Sequence, residues 1–344
     1  MRQYILKRLV LAIPTLIGVS LIVFFMVRLI PGDVVEQIAG DAPPTPEFRA
    51  QIEEELGLDK PEFYVMPKAG WPFLEFHSES QYVIWLTDVV TLDFGKPLRG
   101  SSGESVNQLL KDKLPVTIEM SLLALIVSLI IAVPVGIISA VRQDTIIDYV
   151  ARSTAIGFLA LPTFWLGTLI INYASNWFTA STPVPREYQE IWESPFSNIE
   201  YLVFPFGNFV PVGPAIILGV SLSGTVMRLM RAQMLEVLRQ DYVRTAWAKG
   251  LRERTVVTGH ALKNALIPVV TVVGLQVPIL ISGSVVVESI YNVPGMGQQF
   301  FLSIGTRDYT VVQSIALIIA VSVVLSNLIV DITYAYLDPR IRYS

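Results

Sequence analysis

The stretch DYVRTAWAKGLRERTVVTGHALKNALIP, residues 241–268, holds five Lys or Arg, two acids and two glycines in a chain that is 52% hydrophobic and 16% charged. Its residue types suit a short helix lying on a surface. Asp241 stands where an N-cap is wanted, YVRTAWA can make about two helical turns, and Gly250 is placed to end the helix in a left-handed cap. A second helical stretch starts at LRERTVV and continues through HALKNALIP. A rigid helix with a glycine elbow fits insertion into a groove on another protein, although the charge alone fits an ordinary solvated loop equally well. Other chemistry is harder to find. His77 and His260 are the two histidines, and they form neither a metal pair nor a triad with a nearby nucleophile. The fragment FGKP at 94–97 is the nearest approach to a G-x-x-x-x-G-K-[ST] phosphate cradle, and no G-x-G-x-x-G fingerprint occurs. With no cysteine in the chain, thiolate metal sites and disulfide staples are excluded.

The elements that must position this segment are membrane helices. A helix needs about 20 apolar residues to cross a hydrocarbon core of ~30 Å, and six runs qualify: Leu9 to Val27, Val116 to Val141, Val150 to Phe178, Pro211 to Met227, Leu266 to Val287 and Thr310 to Ala335. Apolar residues cover every face of these runs, which marks lipid-embedded helices rather than amphipathic bundle members. The third run is long enough to tilt or to end in an interfacial turn. Beyond Arg228 the fourth helix continues out of the bilayer as RLMRAQMLEVLRQ, with Leu229, Met230, Met234, Leu235 and Leu238 extending its apolar stripe. The fold class is therefore an all-α integral membrane protein with six transmembrane helices.

Basic residues set its orientation. Those before the first span, around the second turn, between the fourth and fifth spans and at the end of the chain share one side, against Arg186 and Arg307 in the short loops opposite. Both termini are expected in the cytoplasm, with the first span retained as an anchor. Residues 1–30 then form the N-terminus and first helix, and 31–115 a small extracytoplasmic domain with fifteen acids against seven basic residues. Residues 116–344 form a five-helix core whose cytoplasmic loop covers about 232–265. Within the outside domain, EFRAQIEEELGL carries Phe48, Ile52 and Leu56 four apart, and SQYVIWLTDVVTLDFG reads as an amphipathic helix. The segment STPVPREYQEIWESPFSNIEYLVFPFGNFV, rich in aromatics and proline, is expected at the membrane interface.

No ionisable residue falls in the middle of any span. Glu119 and Glu288 lie near outer ends, and Asp331 towards the inner end of the sixth. A proton-driven carrier keeps such groups in mid-membrane, so the energy for any transport is expected from elsewhere. Candidates for lining a pathway are the uncharged polar residues Thr163, Asn172, Ser221, Ser223, Gln276 and Ser282, although Ser and Thr in membrane helices also bond helix to helix. Pro134, Pro162, Pro268 and Pro278 are expected to kink their helices.

The segment MLEVLRQDYVRTAWAKGLRERTVVTGHALKNALIPVVT resembles the cytoplasmic loop of inner-membrane permeases of binding-protein-dependent ABC importers, in particular the first, ectodomain-bearing permease of the peptide/oligopeptide/nickel family. The likeness extends over YILKRLVLAIPTLIGVSLIVFFMVRLIPGD, ELGLDKP, LPVTIEMSLLALIVSLIIAVPVGIISAV, VVVESIYNVPGMGQ, RDYTVVQ and YLDPRIRY. Where importers generally carry Glu-Ala-Ala, this chain has Arg244, Thr245 and Ala246; Gly250 keeps the glycine position, and the later proline is replaced by Lys263. The resemblance implies half of a translocation pore, a second permease as the other half, two ATPase subunits below and a substrate-binding protein above. ATP and magnesium would be held by the ATPases, with no cofactor, enzyme activity or nucleic-acid partner in this chain. It also implies a prokaryotic plasma or inner membrane and a coupling helix, with Asp241 as cap, Arg244, Thr245 and Ala246 on the docking face, and Gly250 and Leu251 at the elbow. Peptides are the expected cargo, with oligosaccharides and nickel as rivals. A secondary carrier or channel and a multi-span sensor stay open as other classes.

Overall fold

A computed structural model describes residues 2–29, 35, 44–55, 60–61, 65–67, 74–76, 80–98, 104–177, 202–203 and 213–337. The described helices are α1 (Arg2–Arg28), α2 (Pro46–Glu55), α3 (Gln81–Val90), α4 (Val106–Val141), α5 (Ile146–Ala160) and α6 (Thr163–Trp177). They continue with α7 (Pro214–Leu238), α8 (Asp241–Ala248), α9 (Leu262–Tyr291), α10 (Met296–Thr306) and α11 (Tyr309–Leu337). One short antiparallel hairpin pairs β1 (Val65–Pro67) with β2 (Leu74–Phe76). The expected segment 181–210, the stripe residue Leu56, His77 and the terminal YLDPRIRY beyond Leu337 lie mostly or wholly outside the described residues.

Among the described residues, five helices are long and apolar enough to cross a membrane: Ile5–Met26, Val106–Val141, Pro214–Leu238, Glu253–Ser282 and Tyr309–Thr333. A sixth candidate is broken. The third apolar run, expected as one helix, is two helices, α5 and α6, bent by 93°. Pro162 is the cause. Its ring disfavours the helical region for the residue before it, and Leu161 accordingly turns extended, at φ −87° and ψ 121°. The chain then restarts, with the Pro162 carbonyl accepting from Leu166 N–H at 3.1 Å. By contrast Pro134, Pro268 and Pro278 sit inside helices that continue through them. The second span also begins earlier than expected, since α4 starts at Val106 and runs 36 residues, about 54 Å at the usual helical rise.

The chain divides into two compact units, one of residues 1–10, 113–298 and 322–344, the other of 11–112 and 299–321. In the smaller unit, α3 is the amphipathic helix expected from SQYVIWL. Its N-cap Ser80 accepts from Val83 N–H at 3.4 Å. Buried Phe24 of α1 meets Tyr82 edge-on with ring centroids 5.2 Å apart, and Trp85 at 5.6 Å. Arg28, 3.5 Å above the Phe24 ring, donates to Gln81 at 2.7 Å.

The larger unit is organised around α7. In lipid there is no hydrophobic drive between helices, so close approach of backbones through small residues does the packing. A Cβ on Gly219 would lie 2.6 Å from the Ala124 carbonyl of α4, and one on Gly224 2.6 Å from the Ala155 carbonyl of α5. Below these crossings Met227, Met230 and Met234 fill a core with Ala132, Ala140, Ala265 and Val269. A second core joins Met120, Ala215, Leu218, Leu280, Val287 and Tyr291. Arg8 at the start of α1 pairs with Asp331 near the end of α11 at 2.9 Å.

Glu288, expected near the end of a span, is fully buried and organises the VVVESIYNVPGMGQ segment. α9 ends with Asn292 in the left-handed region at φ 54°, and the chain folds back over the carboxylate. Oε1 accepts from Thr117 Oγ1 at 2.9 Å, and Oε2 accepts from the N–H groups of Gly297 at 2.6 Å and Gln298 at 3.2 Å. Thr117 Oγ1 in turn accepts from Met296 N–H at 2.9 Å. The first-turn N–H groups of α10, which have no partners within the helix, are thereby satisfied by the Thr117 hydroxyl at Met296 and by the Glu288 carboxyl group at Gly297 and Gln298.

Two predictions follow from these contacts, both read as thermal denaturation of the purified chain. Gly219→Ala should destabilise by about 1–3 kcal/mol through overpacking, whereas Gly157→Ala, with nothing within 4 Å of the added carbon, should be neutral or stabilising. Glu288→Ala, which strands the Gly297 and Gln298 N–H groups, should cost about 3 kcal/mol, and Glu288→Gln distinctly less because it keeps an acceptor there.

Candidate functional site

The basic segment folds as a short helix seated on the end of α7. The seat is apolar and small. Val243 and Ala246, one turn apart on α8, are buried against Val256, with Val237 and Leu238 of α7 packed around them. Leu238 ends α7, Arg239 caps it, and Gln240 turns extended at φ −71° and ψ 148°. This places the start of α8 one residue away from the sequence expectation. Gln240 is the N-cap, its carbonyl accepting from Val243 and Arg244 N–H at 3.1 and 3.2 Å. Asp241 is already helical, so its side chain makes no cap; it is 98% exposed and lies 3.7 Å from Arg244. An acid in the first turn still complements the helix dipole.

The i, i+3 spacing of Val243 and Ala246 also decides which residues face outward. Ala246, expected on the docking face, points into the seat and is only 6% exposed. Arg244 is exposed, and so is Thr245, whose hydroxyl donates back to the Asp241 carbonyl at 2.9 Å. Tyr242 and Trp247 are partly exposed aromatics on the same short helix. Tyr242 is also tied sideways, its hydroxyl accepting from Asn264 Nδ2 of α9 at 2.7 Å.

Gly250 adopts φ +75° with nothing within 4 Å of where a Cβ would stand. Glycine is required there by backbone conformation and not by space. Leu251 is 37% exposed beyond the elbow. Arg252 then starts a single helical turn, Glu253–Thr255, which passes into a π-helical stretch, Val256–Ala261, and then α9. The expected second helical stretch is present, but it carries one wide turn in its path. Val256, Val257 and Ala261 are its buried residues, and His260 is exposed.

Sequence reasoning missed a charged node near the same end. Asp148, in the first turn of α5, is fully buried. Its Oδ1 accepts from Arg231 Nε of α7 at 2.7 Å and from Ser139 Oγ of α4 at 2.6 Å. Its Oδ2 accepts from Arg231 Nη2 at 2.8 Å and from Asp144 N–H at 3.0 Å. Arg152 brings a second guanidinium to 3.3 Å from Oδ2. One carboxylate thus joins α4, the turn after it, α5 and α7. The available signal was an acid four residues before Arg152, at the start of an apolar run.

The pathway candidates are spread over three helices. Thr163 is half-buried at the start of α6, and Asn172 is exposed near its end. Ser221 is half-buried and Ser223 buried on α7, and the Ser223 hydroxyl donates to its own helix at Val220 O, 2.6 Å. Gln276 is buried on α9, whereas Ser282 is exposed and donates to Ile279 O at 3.2 Å. None of them lines the cavity of about 260 Å³ between α9 and α11, whose walls include Val270, Gly274, Val277, Ile329 and Val330.

The sequence matches known transport proteins over its whole length. Residues 132–343 match the binding-protein-dependent transport system inner membrane component, and residues 1–121 match the N-terminal region of such membrane components. The chain is 36% identical to the dipeptide transport system permease protein DppB of Escherichia coli (strain K12), covering 100% of this chain and 99% of that protein. It is 36% identical to the oligopeptide transport system permease protein AppB of Bacillus subtilis (strain 168), covering 100% of each. It is likewise 36% identical to the di/tripeptide transport system permease protein DppB of Pseudomonas aeruginosa (strain UCBPP-PA14), over 100% of this chain and 99% of that one. A solved amino acid ABC transporter with histidines aligns with 67% of this chain and 94% of its own, at 15% identity and TM-score 0.47. With its core and its N-terminal region both matched, this chain belongs to the family of inner membrane components of binding-protein-dependent transport systems.

Proposed function

We propose that this permease forms one half of the translocation pore of an ATP-driven peptide importer and receives its driving force through α8. The reading is carried by one observation: α8 is anchored by its inner face while Arg244, Thr245 and Trp247 are presented outward, at the tip of an α7 that continues without a break from its apolar span. Family membership makes the chain a permease subunit, not an ATPase, so nucleotide hydrolysis belongs to other subunits. The full-length similarity to three peptide permeases supports peptides as the cargo.

In this reading the α8 end lies in the cytoplasm with both termini, where the basic residues concentrate. Residues 31–115 lie outside, towards a substrate-binding protein. A second permease of the same kind completes the pore, two ATPases engage the paired α8 helices, and closure of the ATPase dimer draws those helices together. The pore then opens outward, and hydrolysis resets it. For that switch to be effective, ATP must bias two packings of the bundle by a few kcal/mol. A helix held at its seat and at Tyr242 passes on such a bias better than a loose loop would. Arg244, Thr245 and Trp247 form the docking face, Asp241 supports its first turn, and Gly250 and Leu251 form the elbow. Thr163, Asn172, Ser221, Gln276 and Ser282 are proposed as pathway residues.

Gly250→Ala forces a side chain into the left-handed region at a cost of about 1–2 kcal/mol, and Gly250→Pro cannot adopt it at all. In proteoliposomes, ATP-driven uptake should fall modestly for the first and by about tenfold or more for the second, with the complex still assembling. Unchanged uptake for Gly250→Pro would count against the lever. The cargo is read from the cognate substrate-binding protein: its melting temperature should rise with short peptides and not with oligosaccharides or nickel.

A further inference from the structure

α8 packs on α7 and the π-helical segment, yet a pore half must move as a body, with α4 and α5 following. The apolar contacts along α7 do not ensure this. At Gly219 and Gly224 the helix surfaces are smooth, and dispersion contacts between small residues are non-directional. A bidentate guanidinium–carboxylate fork is different, because two parallel hydrogen bonds fix both distance and angle. Arg231 supplies that fork two turns before the end of α7, and Asp148 receives it at zero exposure. Ser139 and the Asp144 N–H bind the same carboxylate, so the grip extends through the α4–α5 turn. Asp144 itself is held in the left-handed region at φ 60°.

A buried ion pair is a poor means of adding stability, since well-packed apolar residues of similar volume often serve as well or better. We propose that Asp148 and Arg231 are positioning residues for transport: their fork locks the α4–α5 turn to α7, so that a displacement imposed on α8 carries α4 and α5 with it. This rests on the reading of α8 as the part pushed by the ATPase. Arg152 brings a second guanidinium from α5 to 3.3 Å from the carboxylate, outside the fork.

The test uses the assembled transporter and spin labels at Gln143→Cys, in the turn, and Glu236→Cys, near the end of α7; both residues are exposed and the chain has no other cysteine. With the native fork, the distance between the labels should be the same without nucleotide and with ATP and vanadate. In the Asp148→Leu/Arg231→Met double variant, which substitutes apolar volume for the pair, the distance should change on ATP binding by about 2 Å or more. In Arg231→Lys, which keeps the charge but loses the fork, it should change by less. The proposal is overturned if the apolar variant holds the distance as the native protein does, or if the native distance itself shifts. Should the double variant not assemble, Arg231→Lys decides by the same criterion. A separate label pair from Lys249→Cys to the ATPase reports α8 docking. Loss of that signal counts against the docking, while a retained signal with a rigid apolar variant counts against the fork alone.

Discussion

The position of α8 depends on a small apolar seat. Val243 and Ala246 are the side chains by which this helix is buried, and they meet Val256 and the last turn of α7. The contact area is modest, so the seat is effective only because its surroundings are fixed. Tyr242 is tied to Asn264, Gly250 reverses the chain sharply, and α7 continues unbroken from the seat into the apolar core. A helix of eight residues would not hold its shape alone in water; here tertiary contacts on one face hold it while the opposite face stays available.

The same economy runs through the larger unit. Two of its buried carboxylates, those of Asp148 and Glu288, each gather several hydrogen-bond partners in one place. Asp148 gathers partners from α4, the following turn and α7, while Glu288 gathers them from α4 and the first turn of α10. Both carboxylates join segments that apolar packing alone would leave free to slide. One stands at the α8 end of α5 and the other at the far end of α9. Between them the helices touch mainly through small residues, methionines and aliphatic side chains. Polar fixing at the ends and smooth contact along the lengths suit the two packings of the proposed switch.

Much of this was legible in the sequence, for identifiable reasons. Spans follow from length and apolarity, so five were located directly, and the RLMRAQMLEVL stripe gave the extension of α7. The left-handed turn at Gly250 follows from glycine alone. What escaped depended on groups distant in the chain. The Asp148–Arg231 fork joins residues 83 apart, and nothing in either local segment names the other. Pro162 implies a kink from sequence, but a kink and a 93° break differ by what packs against the two halves. The family resemblance puts Ala246 on the docking face with Arg244 and Thr245, whereas helical phase with Val243 turns it in. The cap passed from Asp241 to Gln240 because capping is a matter of backbone angle as well as residue type.

The central claim is that α8 is a seated lever whose outward face meets an ATP-hydrolysing partner. In the assembled transporter, single cysteines at Arg244→Cys, Thr245→Cys and Val243→Cys separate the two faces without background, since the chain has no cysteine of its own. A short bifunctional cross-linker should join the first two to the ATPase and leave Val243→Cys unjoined. Cross-linking from Val243→Cys as strong as from Thr245→Cys, or no adduct with the ATPase from either outward position, would contradict it.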